Sequence, residues 1–314
     1  MVNESICISF DDNSYLTALF GENDKHLQII EQKLDVVTAS RGNMLSLTGK
    51  PENVALANNI LLNLYKKLEK GMEITMSDVE AAVRIVSHNK EKKNELFDEE
   101  IVIKTMRKHI NPYSNNQKKY IKLLYGKEMV IAHGPAGTGK TYLAVAVGIS
   151  LFLSNKVEKL ILCRPAVEAG EKIGFLPGDM KDKVDPYMQP LYDALYDMMP
   201  ADKIQKYIDT RIIEIAPLAF MRGRTLAHAF IILDEAQNAT PAQMKMFLTR
   251  LGEGSRMVIN GDLSQTDLPQ NTLSGLKDAT NRLKDVEEIG FCKFTGEDIV
   301  RHSLVTKIVE KYES

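Results

Sequence analysis

The sequence predicts an α/β protein, a small α+β domain followed by a larger domain built on a parallel sheet. Three observations carry this. After about residue 111, short apolar runs alternate with helix-forming segments, the pattern of a parallel α/β sheet. Ahead of residue 88 the order is different, with two strands joined by a tight turn and flanked by helices. Between the two lies HNKEKKNELFDEE (residues 88–100), almost all charge, with Leu96 and Phe97 its apolar residues, which reads as a surface linker. The expected organisation is a small domain at 1–95, a charged linker or connecting helix at 96–110 and the larger domain at 111–314.

In the first domain, residues 5–10 read as a strand, and 13–20 and 24–34 as helices. Two strands follow at 35–40 and 44–49, joined through Arg41-Gly42-Asn43, because Gly and Asn tolerate positive φ. Residues 51–68 form a helix buried along Ile60, Leu61, Leu64 and Leu68. A further helix at 76–87 takes Ser77 as its N-cap. In the second domain the strands fall at 129–132, 159–163, 212–215, 230–233, 257–260 and 286–291. Helices fall at 140–152, 190–198, 201–208, 241–251 and 298–312. The helix at 241 is punctuated at both ends, with Thr240 as N-cap, Pro241 at its first position and Gly252 beyond it.

Composition narrows the classes. Apolar residues make up 44% and charged residues 26%, which excludes wholesale disorder. With 40 Lys+Arg against 42 Asp+Glu the net charge is −2, so overall charge gives no argument for nucleic-acid binding. The apolar stretch at 143–153 contains Gly148 and Ser150 and is too short to span a bilayer. Residues 1–10 lack the basic-then-apolar form of a signal peptide. Cys7, Cys163 and Cys292 are too widely spaced for a disulfide framework or a clustered zinc site. A cytoplasmic location, with no membrane partner, is the expectation.

Residues 134–141 read GPAGTGKT, a match to G-x-x-x-x-G-K-[ST], preceded by the apolar strand MVIA and followed by the helix-forming TYLAVAVGI. Gly137 and Gly139 let the backbone bend close to a polyphosphate with its N–H groups inward, and the helix N-terminus adds partial positive charge. Lys140 is placed to neutralise β/γ oxygens, and Thr141 to offer a hydroxyl to Mg²⁺. Gly134, Pro135, Ala136, Gly137, Thr138, Gly139, Lys140, Thr141 and the following Tyr142 are therefore the expected ATP cradle. The strand at 230–233 ends in Asp234-Glu235, where Asp234 can hold the Mg²⁺ shell and Glu235 can polarise a water. An adjacent Glu argues for hydrolysis over transfer to an acceptor, since a kinase excludes water. Residues 261–265 (GDLSQ) follow the next strand, and Gln265 is the candidate to sense the γ-phosphate or the attacking water. Gln117, ahead of the loop, is the candidate to read adenine.

DEAQN at 234–238, GDLSQ at 261–265 and a Gln ahead of the phosphate loop resemble motifs of superfamily-one helicases. A narrower resemblance is carried by RPAVEAGEKIGFLPGD (164–179), APLAFMRGRTL (216–226) and LTRLGEGSRMVINGD (248–262), which look like the PhoH family of P-loop ATPases. It runs from about residue 111 onward, and the portion ahead of it resembles longer PhoH-like members that carry a small KH-like domain. The resemblance implies a RecA-like P-loop NTPase with a parallel sheet, preceded by that α+β KH-like domain. It also implies an ATP-binding, ATP-hydrolysing protein that acts on RNA and partners a YbeY-type endoribonuclease in ribosomal RNA maturation. One departure stands out. A KH domain grips backbone with a Gly-x-x-Gly loop, and here Gly21-Glu22-Asn23-Asp24 puts an acid at the second Gly. Residues 1–87 hold 8 Lys+Arg and 12 Asp+Glu, a balance of −4, so a protein-docking role is favoured for this domain over RNA binding.

The segment between Arg164 and Arg224 is a long insertion. Lys172, Lys181, Lys183 and Lys203 interleave there with Tyr187, Tyr192, Tyr196 and Tyr207, a pattern open to stacking of single strands, though Leu191, Leu195, Met198 and Met199 argue that most of these tyrosines pack inward. Arg164, Arg222 and Arg224 are candidates for backbone or phosphate contact. An arginine that completes a nucleotide site comes from outside the phosphate loop, often from a second subunit, and Arg250 and Arg301 are the candidates. About 210 residues follow the linker, enough for one ATPase core and not two, so any movement along RNA calls for a homo-oligomer, such as a hexameric ring.

Overall fold

The computed structural model describes residues 3–88, 101–165, 180–269, 271–300, 308 and 311. The chain divides into two compact units, one holding residues 1–100 with 113–115, the other 101–112 with 116–314.

The first unit runs β1 (Glu4–Ser9), α1 (Leu16–Phe20), α2 (Lys25–Leu34), β2 (Val36–Arg41), β3 (Met44–Gly49), α3 (Pro51–Glu69) and α4 (Met76–His88). Its three strands form an antiparallel sheet in the order β1-β3-β2. Arg41 pairs with Met44, leaving Gly42-Asn43 as a two-residue turn in which Gly42 takes φ +63°. Leu45 and Leu47 alternate inward from β3, and α3 covers them with Ala57, Ile60, Leu61, Leu64 and Leu68. The cap of α4 is Thr75, not Ser77. The helix begins at Met76, so Ser77 falls inside its first turn, while the Asp78 carboxylate accepts from the Thr75 amide at 3.0 Å and Thr75 Oγ1 accepts from the Asp78 amide at 3.3 Å.

The second unit opens with a short antiparallel ribbon, β4 (Ile103–Lys104) and β5 (His109–Ile110), in residues expected to be a charged linker or connecting helix. There follow α5 (Asn115–Gly126), β6 (Met129–His133), α6 (Lys140–Leu153), β7 (Lys159–Arg164), α7 (Met180–Met198), α8 (Ala201–Asp209), β8 (Ile213–Pro217), β9 (Ala229–Leu233), α9 (Pro241–Leu248), β10 (Arg256–Gly261), α10 (Gly275–Leu283) and β11 (Ile289–Lys293). The six strands β6 to β11 make one parallel sheet, in the order β11-β6-β10-β9-β7-β8. Alternation sorts their side chains between two cores. Val130, Ala132, Phe230, Ile232 and Val258 meet α5 and α6, while Ile131, Ile231, Leu233, Met257 and Ile259 meet α9 and α10. Helix α6 is apolar nearly all round because it is buried nearly all round, and a Cβ on its Gly148 would stand 2.8 Å from the Phe230 ring.

Two differences from expectation have clear causes. Helix α7 starts at Met180, ten residues before Pro190, which had been read as its first position. Helix α10 buries few apolar side chains, Leu276 and Ala279, too sparse a stripe to register as a period. The helix expected at 298–312 lies largely outside the described residues, as do linker residues 89–100 and motif residues 166–179. Among the described residues no helix is long and apolar enough to cross a membrane.

Candidate active site

The strand order brings four strand ends together at one edge of the sheet, where ligands of open α/β sheets bind. β6 runs into the phosphate loop, β10 into Gly261-Asp262, β9 into Asp234-Glu235, and β7 ends at Arg164. They border a cavity of about 520 Å³, lined among others by Lys140, Thr141, Asp234, Glu235, Asp262 and Gln265. Its further wall comes from Tyr142 and from α7, with Pro190, Asp193, Ala194 and Asp197.

The loop is shaped by its glycines. Gly134 takes φ +149°, and a Cβ there would lie 2.5 Å from the Phe294 carbonyl oxygen; Gly137 and Gly139 both take φ +79°. Lys140 Nζ donates to the carbonyls of Gly134 (2.7 Å) and Pro135 (2.8 Å) and to Thr138 Oγ1 (3.2 Å). Burial pulls its ammonium below the usual lysine value, offset in part by Asp262, Asp234 and Glu235. Burial also lowers His133, at the end of β6, helped by Lys293 and Lys140 and opposed by Asp262. The Asp262 carboxylate accepts from the Ala136 amide at 3.2 Å, tying the end of β10 to the loop.

Thr141 Oγ1 donates to Asp234 Oδ1 at 2.5 Å. A hydroxyl and a carboxylate so close are hard oxygen donors that fit Mg²⁺, which binds proteins through one or two such groups and takes the rest of its shell from phosphates and water. Thr141 and Asp234 would hold it, and its charge would offset that of the bound phosphates. The second Asp234 oxygen accepts from Arg164 Nε at 2.9 Å, and Arg164 Nη2 reaches Glu235 Oε1 at 3.2 Å. Arg164 Nη1 donates to the Tyr187 carbonyl on α7 at 2.7 Å. Glu235 itself holds φ +51°, a left-handed backbone that is costly for a residue with a Cβ and concentrates at functional positions.

Gln237 braces this arrangement. Its Nε2 donates to Glu235 Oε2 at 2.5 Å and to the Gln265 carbonyl at 3.1 Å, and its Oε1 accepts from the Asp262 amide at 2.9 Å. Asn238 repeats the device one residue on, exchanging hydrogen bonds with Asp267. Neither role was read from the sequence, although both residues stand in DEAQN. Asp262 was likewise inside a quoted motif without an assigned task.

Gln117 sits behind the loop, 2% exposed, its amide donating to the Thr138 carbonyl at 3.0 Å; it is not among the residues lining the cavity. Gln265 lines the cavity. Arg250 bonds the Met246 and Arg224 carbonyls and Thr249 Oγ1 of its own chain, tying the end of α9 to the segment ahead of β9. Arg301 lies outside the described residues; just before it, the Val300 amide donates to the Gly137 carbonyl at 3.0 Å. Arg224 pairs with Glu214, with Nη2 to Oε2 at 2.7 Å, while Arg222 is exposed. Tyr192 and Tyr207 pack against the core, as expected for most of the tyrosines, and Tyr196 is 39% exposed. Lys172 and the side chains of Lys181 and Lys183 lie outside the described residues.

Comparison with known proteins places this site in a family. The family model described as PhoH-like protein matches residues 109–313. A PhoH-like protein of Bacillus subtilis is 46% identical over 297 residues, covering 94% of this chain and 93% of that protein. One from Mycobacterium bovis is 45% identical over 298 residues, covering 95% of this chain and 84% of its own length. Protein PhoH of Escherichia coli is 44% identical over 198 residues, 62% of this chain and 56% of that protein. With likeness on that scale across both of its units, the chain belongs to the PhoH family.

Proposed function

We propose that the chain is a Mg²⁺-dependent ATPase whose hydrolysis serves an RNA-linked task, ribosomal RNA maturation. The carrying observation is the 2.5 Å contact between Thr141 and Asp234, with Glu235 the next residue. It joins a phosphate-binding loop to an acidic strand end in the way nucleotide hydrolysis requires. In this reading Lys140 leaves its loop carbonyls to neutralise phosphate oxygens, Thr141 and Asp234 hold the ion, and Glu235 takes a proton from the attacking water. Gln265, at the cavity wall, meets the γ-phosphate, with the α7 residues Pro190, Asp193, Ala194 and Asp197 forming the further wall. The interposition of β10 between β6 and β9 supports a RecA-like core.

The small unit reads as KH-like in element order, and its loop at residues 21–24 supports a docking role. Asp24 holds the left-handed backbone at φ +58° where a Gly-x-x-Gly loop has its second glycine, and its charge opposes a phosphate chain. This acidic loop favours a second reading, a nucleotide-gated scaffold that docks a YbeY-type endoribonuclease without motor action. Both readings place the chain in the cytoplasm as a homo-oligomeric ring, with Arg301 able to act across subunits. ATP turnover by the full chain, with K140A and E235Q as controls and with or without single-stranded RNA, tests the proposal. Stimulation by RNA supports the first reading. Turnover indifferent to every RNA, with ATP-dependent retention of the nuclease, supports the second, and absence of turnover sinks the ATPase assignment.

A further inference from the structure

The four carboxylate oxygens of Asp234 and Glu235 all have protein partners: Thr141 on Asp234 Oδ1, Arg164 on Asp234 Oδ2 and Glu235 Oε1, and Gln237 on Glu235 Oε2. Among the described residues, Arg164 is the one side chain that holds both acids. Its position is fixed by the sheet, because Cys163 pairs with Leu233 and the Asp234 amide donates to the Cys163 carbonyl at 2.8 Å. The remaining guanidinium nitrogen is bonded to the Tyr187 carbonyl of α7, a helix that walls the cavity with Pro190 and Ala194. The Arg164 side chain is 15% exposed and that of Asp234 4%, so the pair is shielded and strong in its geometry.

As it stands this arrangement serves hydrolysis less well, because an incoming water must share Glu235 with the guanidinium on Oε1 and the Gln237 amide on Oε2. It is also easily exchanged. A planar guanidinium matches phosphate oxygens as well as carboxylates, and it lies at the rim of the same cavity. We infer that Arg164 is the residue by which the site tells a triphosphate from a diphosphate. It clamps Asp234 and Glu235 when no terminal phosphoryl group is present, and it trades them for that group's oxygens when one is. Both acids are released together, and the Tyr187 carbonyl carries the change into α7. Arg224 and Arg250, by contrast, are held on Glu214 and on backbone carbonyls. The inference rests on the ATPase reading and names how that site senses its nucleotide.

The test uses the full chain as wild type, R164Q and R164K, each with ADP and with a non-hydrolysable ATP analogue in Mg²⁺ buffer. Calorimetric titration should show ADP affinity changed by no more than about 3-fold in R164Q, with affinity for the analogue reduced at least about 10-fold, the scale of a lost charge-assisted pair. R164K, which keeps the charge without the fork, should recover part of that loss. Hydrogen exchange across α7 should differ between the two nucleotide states in wild type and converge in R164Q. A merely structural arginine would weaken both nucleotides alike, and that result overturns the inference. So does α7 exchange that is the same in both states of the wild type. If R164Q does not fold, R164K carries the comparison, and analogue affinity equal to wild type in it would overturn the claim of a bidentate contact. Wild-type protein that binds neither nucleotide would sink the ATPase reading itself, whereas binding of both with no effect of R164Q sinks this inference alone.

Discussion

Replacing Gln237 separates the brace from the chemistry proposed for the acidic pair. The side chain is 1% exposed and makes three hydrogen bonds that link the acidic pair to the loop after β10. In Q237L, of similar size, the buried Asp262 amide loses its acceptor, at a cost of about 1–3 kcal/mol. Glu235 and the Gln265 carbonyl lose their donors at the cavity, where water can substitute, adding about 1 kcal/mol. The expected destabilisation is therefore about 2–4 kcal/mol, which for a unit of this size lowers Tm by roughly 4–15 °C. The phosphate loop is untouched, so KM for ATP should hold within about 3-fold, while kcat falls about 10–100-fold as Glu235 loses its orientation. Q237E should restore the Asp262 acceptor, and with it part of the stability, but not the activity, because it sets a carboxylate against Glu235. Steady-state ATP turnover beside thermal melts decides the matter. Wild-type kcat in a clearly destabilised Q237L would refute the view that this brace positions the Glu235 base.

Gly134→Ala should cut nucleotide affinity by more than about 10-fold in a binding titration, because its Cβ would meet the Phe294 carbonyl at 2.5 Å on a backbone at φ +149°. Gly148→Ala gains helix propensity of about 1 kcal/mol but crowds the Phe230 ring at 2.8 Å, and the balance should be a net loss of about 1–2 kcal/mol in denaturant unfolding. Under a thiol reagent at pH 8, exposed Cys7 should react at once, whereas Cys292, pushed up to about 11 by burial, and the still more strongly raised and buried Cys163 should label only on unfolding. His133 is held below its usual 6.5, so the unfolded chain binds the extra proton first: its contribution is full above about pH 6.5 and lost as pH falls toward the folded value, and melts between pH 7.5 and 5.5 should flatten in H133Q.

What could be read in the sequence was what is local in the chain. The strand, loop and helix around Lys140 are contiguous, so their order alone announced the phosphate cradle, and the acidic pair ended a strand that period and composition made plain. The link between Arg164 and Asp234 spans 70 residues and depends on β7 lying beside β9, which no local pattern encodes. The same holds for Gln237, whose partners Asp262 and Gln265 arrive in the loop after β10. Gln117 shows the converse limit: its place ahead of the loop was legible, but whether its amide faced the cavity or the loop's underside depended on the turn of α5. Pro190 misled because proline marks helix starts far more often than it sits within one.

The order of strands also works as a ruler. Neighbouring strands lie about 4.8 Å apart, so the tips of adjacent strands meet, while the tips of strands two apart stand about 10 Å from each other, a distance that the loop after β6 spans when Thr141 reaches Asp234. Arg164 and Asp234 are one step apart and close into an ion pair. The phosphate-loop strand and the acidic strand are two steps apart, with β10 between them. Lys140 therefore feels the pull of Asp234 and Glu235 across the intervening strand while hydrogen-bonding its own loop carbonyls. Were β6 and β9 adjacent, the lysine and the acids could close into an ion pair as Arg164 and Asp234 do.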